Sequence, residues 1–291
     1  MKNPLFLNDA VRSVEWHDLR AMSLAQTIRA NFLSVPWLIV SLVLAHEEYY
    51  LAALPFSAIF FMAGLRQTHD GMHVKLGLPT ALTHAILVLF SMLMAIPLHA
   101  VRWIHLRHHA NPLGNEDVEG MCARMPWWMA IVAGPYFSIR MIIVAIMRSG
   151  GWTRMMISVE VAATLLLLIV AVALGWTTVQ YQLFVMVLGN SLTGFVAVWM
   201  VHRECERDGL FARTQRSRLI NFLTVNNFYH LEHHLFPAVA SCNLPELARR
   251  LDRVLPTAAP VVALSRIEET QPNAASDTLV HSAMESSPAP Q

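Results

Sequence analysis

Three short histidine-rich stretches constrain this chain more than any other feature: His69-Asp-Gly-Met-His73, His105-Leu-Arg-His108-His109 and His230-Leu-Glu-His233-His234. Eight of the fourteen histidines lie in them. Residues three and four apart share a helix face, so His69 and His73 are expected to project together, as is each His-x-x-His-His set. Neutral imidazole is the commonest side-chain metal ligand. One tetrahedral zinc takes about four ligands, so eight convergent histidines exceed a single ion, and two metals sharing eight or nine imidazoles fit the count. A lone His-x-x-x-His is most simply a surface pattern. Three such sets in an apolar chain leave that reading little room.

The surrounding residues set the medium. Of 291 residues, 55% are hydrophobic and 14% charged, against about a quarter charged in ordinary soluble domains. That balance reads as one integral membrane domain, all-α, because helices satisfy their own backbone in lipid. A net charge of +1 gives no sign of nucleic-acid binding. Cys122, Cys205 and Cys242 are odd in number and form no Cys-x-x-Cys, which argues against a disulfide framework or a thiolate metal site. Residues 1–29 mix acids with arginines and lack a short apolar core before a small-residue cleavage site, so no removable signal peptide is expected. They read as a polar, partly helical cytoplasmic segment. Residues 30–267 form the membrane domain, and the Ser-, Ala- and Pro-rich residues 268–291 read as a disordered tail.

Apolar runs at 30–47, 51–66, 157–176 and 181–201 read as four spans, the second extending past its ends. Residues 80–100 are also apolar, but they separate the first two histidine stretches. A crossing there would put those stretches on opposite faces, roughly 30 Å apart, so this segment is expected to be interfacial or re-entrant. Residues 126–147 read as interfacial, with Trp127 and Trp128 at headgroup level. Residues 243–255 read as an amphipathic helix. In this topology the outer turns, 46–50 and 175–180, contain no lysine or arginine, and all 21 basic residues fall on the other side. Cytoplasmic loops carry excess Lys and Arg, which places both termini and all three histidine stretches in the cytoplasm.

The three boxes, with Asn226-Asn-Phe-Tyr-His230-Leu-Glu-His233-His234-Leu-Phe-Pro237 as the most specific stretch, resemble those of the membrane fatty acid desaturase/hydroxylase superfamily. The resemblance covers roughly residues 51–256, and the chain length is closest to bacterial members. It implies four membrane helices under a cytoplasmic helical cap holding two ferrous ions, O2 as co-substrate, an acyl chain carried on a lipid, coenzyme A or acyl carrier protein, and an external electron donor such as a ferredoxin, a cytochrome b5-like or a rubredoxin-like protein. It places the chain in a bacterial inner membrane. Similarity to stearoyl-CoA desaturases implies a ninth ligand, His202, at the end of the last span. The third box begins with His rather than the Gln of front-end desaturases fused to cytochrome b5, and no fused domain of that kind is present.

The implied ligands are therefore His69, His73, His105, His108, His109, His202, His230, His233 and His234, with no catalytic side chain beyond them. Removing hydrogen from an unactivated CH2 exceeds the reach of amino-acid side chains and needs a metal–oxygen oxidant. Whether an alkene or an alcohol results depends on positioning. Asp70, Asp117, Glu116, Asn227 and Glu232 are candidates for holding imidazoles in one tautomer. Of these, Glu232, two residues after His230, is expected to point elsewhere, and as an ion-pair partner for an arginine of the cap it needs no catalytic role. His17, His46, His84, His99 and His281 are assigned no role. Arg203, Arg207, Arg213, Arg216 and Arg218 form a basic cluster best read as a positive-inside and anionic-lipid signal, the alternative being docking of an acidic electron donor or of a phosphate on an acyl carrier. Two rival functions remain: a hydroxylase or ketolase acting on a lipid or carotenoid at the same site, and a metal transporter, which requires histidines near the bilayer midplane.

Overall fold

Apolar helices longer than a bilayer is thick organise the molecule. The computed structural model describes residues 9–205 and 211–254. Four of its helices are long and apolar enough to cross a membrane. The first, Leu24–His46, joins α2 (Leu24–Phe32) to α3 (Val35–His46), after a short α1 (Asp9–Arg12). The second is α4 (Tyr50–Met72) and the third α9 (Gly151–Ala173). The fourth, Thr177–His202, comprises α10 (Thr177–Thr193), a π-helical segment Gly194–Trp199 and α11 (Met200–His202). The large apolar side chains of α9, among them Leu165, Leu166 and Ile169, point outward, as suits a helix whose solvent is lipid. The all-helical integral membrane fold expected from composition is thus observed.

Helical structure starts earlier than residue 30. Ser23 Oγ accepts from the Gln26 backbone N–H at 3.2 Å, and Gln26 Oε1 accepts from the Ser23 N–H at 2.8 Å. This reciprocal cap satisfies two of the orphan donors of a helix end and starts α2 at Leu24. The polar lead-in therefore ends at residue 23. The tail at 268–291, His281 and Arg207 lie outside the described residues.

Between the second and third spanning helices the chain does not run straight. α5 (Thr80–Leu93) and α6 (Leu98–Ala110) meet at 113°. Such a break frees backbone groups that lipid cannot satisfy. Here α10 satisfies them: Gln182 Nε2 donates to the Leu93 carbonyl at 3.0 Å and Asn190 Nδ2 to the Met94 carbonyl at 2.7 Å. Ser91 Oγ accepts from the Leu98 N–H at 3.0 Å. The bend redirects α6, which carries the second histidine box, to pack against α4 and α9.

α7 (Trp127–Val132) exposes Trp127 and Trp128, and α8 (Gly134–Arg148) packs closely on α10. At Gly134 a Cβ would sit 1.5 Å from the Ser191 carbonyl oxygen, so only glycine permits this approach. The cap is built from α12 (Arg218–Leu223), α13 (His230–Leu235) and α14 (Leu244–Val254). Leu244, Leu247 and Leu251 of α14 bury one face against Val11, Val14, Leu19, Leu235 and Phe236. Arg250 clamps that packing through two 2.7 Å contacts to the Asp18 carboxylate.

Candidate metal centre

The end of α4, the body of α6, α11 and α13 bring nine imidazoles together in two groups. His69, His73, His105, His109 and His233 form one, and His108, His202, His230 and His234 the other, each with ring nitrogens within 4.8 Å of one another. The His-x-x-His-His sets do not each project as a unit, contrary to the expectation from spacing. Residues four apart differ by about 40° around a helix and adjacent residues by about 100°. His105 and His109 therefore stay together while His108 turns to the other group. In α13 the same rule keeps His230 with His234 and sends His233 across. Each of these two boxes thus contributes to both groups.

Tautomers are set from outside the groups. His108 Nδ1 lies 2.6 Å from Asp117 Oδ2, and His105 Nδ1 lies 2.9 Å from Glu119 Oε1. His202 Nδ1 lies 2.6 Å from the Phe211 carbonyl oxygen. These acceptors keep the proton on Nδ1, leaving Nε2 with a bare lone pair. Yet His108 Nε2 and His202 Nε2 face each other at 3.1 Å, so no hydrogen bond can join them. Nε2 atoms also stand this close at His73–His105 (3.0 Å), His105–His109 (3.1 Å), His109–His233 (2.8 Å), His202–His230 (2.9 Å) and His230–His234 (3.1 Å), where at most one of each pair can carry the proton of a hydrogen bond. His69 Nε2 is buried with no partner. Lone pairs converging at this separation repel unless a cation lies among them, and nitrogens bound at about 2.1 Å and at right angles to one another stand about 3 Å apart. The donor set fits two metal ions of the kind imidazole suits.

Burial acts in the same direction. Desolvation, reinforced by neighbouring imidazoles, holds His230, His233 and His234 well below the usual histidine range, so they stay neutral and able to ligate. Burial alone would raise the Glu119 carboxyl, but the attraction of His105 and His108 outweighs it and holds the group down to about 2. Asp117 is likewise held low, burial being offset by His108 and by the N–H groups of Leu113 and Gly120.

The other polar candidates go elsewhere. Asp70 accepts from the Ser241 N–H and Oγ at 3.0 and 2.8 Å, tying the first box to the loop after the third. Asn227 Nδ2 donates to the Met62 carbonyl at 3.2 Å. Glu116 is exposed. Glu232 is buried, accepts from Thr214 Oγ1 at 2.6 Å and sits 2.7 Å from Arg216 Nη2. Glu119 was not among the sequence candidates. It lies fourteen residues after its imidazole, across a loop whose course local spacing does not reveal. Nor did the sequence flag the buried chain in which Glu160 Oε1 meets His99 Nδ1 at 2.5 Å and His99 Nε2 meets His84 Nδ1 at 2.9 Å.

An apolar cavity runs up to the two groups. His69, His105 and His230 form its polar wall together with Glu119. Met62, Leu65, Met72, Met94, Ile96, Leu98 and Met141 line much of the rest, with Val196 and Ala197 of the π-helical segment, and Thr68, Asn190, Thr193 and Asn227 add polar groups. A π turn inserts one extra residue and rotates the helix beyond it, here the end bearing His202.

Searches of curated proteins and of solved structures returned no match. A family model described as fatty acid desaturase matches residues 48–264, a span that contains all nine imidazoles, the cavity and the cap. On that match the chain belongs to the membrane fatty acid desaturase family.

Proposed function

We propose that this protein is an O2-dependent di-iron desaturase that introduces a double bond into a fatty acyl chain. Family membership supports a lipid oxidoreductase of desaturase or hydroxylase type. The observation that carries the finer reading is that imidazoles of both groups, His69 and His105 from one and His230 from the other, line one apolar cavity. Two irons held by the nine imidazoles would supply, with O2 and electrons from a separate donor, an oxidant able to take hydrogen from an unactivated CH2.

The chain's own residues do the rest. Asp117, Glu119 and the Phe211 carbonyl keep the proton on Nδ1 of His108, His105 and His202, so that Nε2 is free to ligate. The methionine- and leucine-lined cavity binds a hydrocarbon and excludes water. An acyl chain bound there would run its successive methylenes along the imidazole wall, the arrangement that removing two neighbouring hydrogens requires. In this reading the membrane domain begins with the apolar helix at Leu24, and the absence of lysine and arginine from the outer turns supports histidine boxes on the cytoplasmic side of a bacterial inner membrane. The electron donor is a separate protein.

The test is lipid profiling by mass spectrometry of a host expressing the wild-type protein, His108→Ala or His233→Ala. The expected product is two mass units lighter than its precursor and is absent with either variant, which should still insert into membranes. A product sixteen units heavier would establish the hydroxylase reading instead. The imidazoles cluster at the ends of spanning helices, which disfavours a transporter.

A further inference from the structure

Arg66 lies on α4, one turn before His69, and is only 7% exposed. Its Nε is buried without a hydrogen-bond partner. The carboxylate one turn on, Asp70, lies close enough for the two charges to attract, but its oxygens are hydrogen-bonded to Ser241 and form no ion pair with the guanidinium. A buried guanidinium left unpaired is costly, and such a group points to a missing anion.

The surroundings show where that anion would sit. Arg66 lines an open pocket of about 450 Å³ together with Arg29, Arg216, Arg218, Arg249 and Asp252. Arg216 is neutralised by Asp252 and Glu232, and Arg249 by Glu246. Arg29, Arg66 and Arg218 have no ion pair among the described residues. Three guanidinium groups around one pocket, none of them held in an ion pair among those residues, match a phosphate, whose oxygens accept their paired N–H groups.

Two features tie the pocket to the site. Arg66 faces it while its neighbours on α4, Leu65 and His69, face the apolar cavity. Between α12 and α13, Asn226 and Tyr229 face the pocket while Asn227 and Phe228 face the cavity, as does His230 at the start of α13. One layer of residues separates the arginines from the imidazole wall. Leu33, Phe222 and Val225 add apolar surface to the pocket, and the helices that carry Arg218 and Arg29 also expose Leu219 and Leu223, and Ile28 and Phe32. Cationic heads among exposed apolar side chains suit the headgroup layer of a membrane.

We propose that this arginine pocket binds the phosphate ester of the acyl substrate's headgroup, with a membrane phospholipid as its source. The proposal rests on the reading of the cavity as an acyl site. Binding is to be measured with the purified full-length protein in detergent, using dioctanoyl-phosphatidylglycerol, octanoyl-coenzyme A and, as the phosphate-free control, dioctanoylglycerol. Arg66→Gln and the exposed Arg218→Gln are expected to bind phosphatidylglycerol about tenfold more weakly than wild type, with dioctanoylglycerol binding unchanged. Arg140→Gln, remote from the pocket, should behave as wild type. Arginine-dependent binding of octanoyl-coenzyme A alone would keep the phosphate site but overturn the lipid source. Wild-type affinity for both phosphate probes in both arginine variants, or no binding of either by wild type, would overturn the site itself. Should Arg66→Gln fail to fold, Arg218→Gln decides. His108→Ala, which removes the proposed chemistry, should leave the binding intact, so failure of the headgroup site and failure of the desaturase reading are told apart.

Discussion

Asp117 Oδ2 lies 2.6 Å from His108 Nδ1, and the same carboxylate accepts the backbone N–H groups of Leu113 at 2.8 Å and Gly120 at 3.1 Å. One side chain therefore shapes the loop after α6 and orients an imidazole of the second group. Asp117→Asn presents one oxygen where three donors converge and turns an amide donor toward one of them. Losing such a partner typically costs 10–100-fold in metal affinity or activity. The expected result is iron per protein, measured by elemental analysis, falling in the variant while detergent-solubilised yield holds. Full iron loading would show that His108 needs no carboxylate.

Glu160 is fully buried within α9 and holds the start of α6 at two atoms, the His99 backbone N–H at 2.9 Å and His99 Nδ1 at 2.5 Å. Glu160→Leu preserves bulk and strands both donors. Breaking a buried pair by removing one partner costs about 3–5 kcal/mol, so thermal unfolding in detergent should move down by several degrees. An unchanged midpoint would mean that the His99 anchor contributes little.

Gly134→Ala is a sharper test of the bundle. The added methyl would lie 1.5 Å from the Ser191 carbonyl oxygen, so α8 and α10 must separate. Overpacking of this kind costs about 1–3 kcal/mol. Lower thermal stability is expected, together with weaker product formation, because α10 also holds the bend above α6. Wild-type stability would show that the two helices part freely.

Acid should destabilise the metal-free protein through the third box. Burial depresses His230, His233 and His234 far below the usual value of about 6.5. In the unfolded chain these groups take up protons below about 6.5, whereas in the folded protein they do not. The unfolded state therefore binds more protons in that window, and stability falls as pH drops, by about 1.4 kcal/mol per pH unit for each group. Melting of the metal-stripped protein between pH 7.5 and 5.5 should show the decline, with His233→Ala giving a shallower slope. A flat profile would mean that these imidazoles are accessible to protons in the folded state.

Much of the fold was legible because its causes are local or one-dimensional. Apolar runs long enough to cross a bilayer announced the spanning helices. Bringing the boxes at 69–73 and 105–109 together calls for a turn between them, and α5 and α6 meet at 113°, a bend that suits either a broken span or a re-entrant loop. The limits of local reading show at α2, whose start depends on the Ser23–Gln26 cap rather than on hydropathy.

The sequence by itself determined the membrane setting, the helical class and the eight imidazoles of the boxes, since bilayer thickness, helix period and ligand chemistry are properties of short stretches, whereas His202 came only from the family resemblance. Only the tertiary structure decided how those imidazoles divide, because membership depends on the relative rotation of α4, α6, α11 and α13. The same holds for Glu119 on His105, Asp70 on Ser241, and the unpaired Arg66 beside Arg29 and Arg218. Each joins residues whose approach is set by packing between elements, and no spacing along one helix encodes that distance.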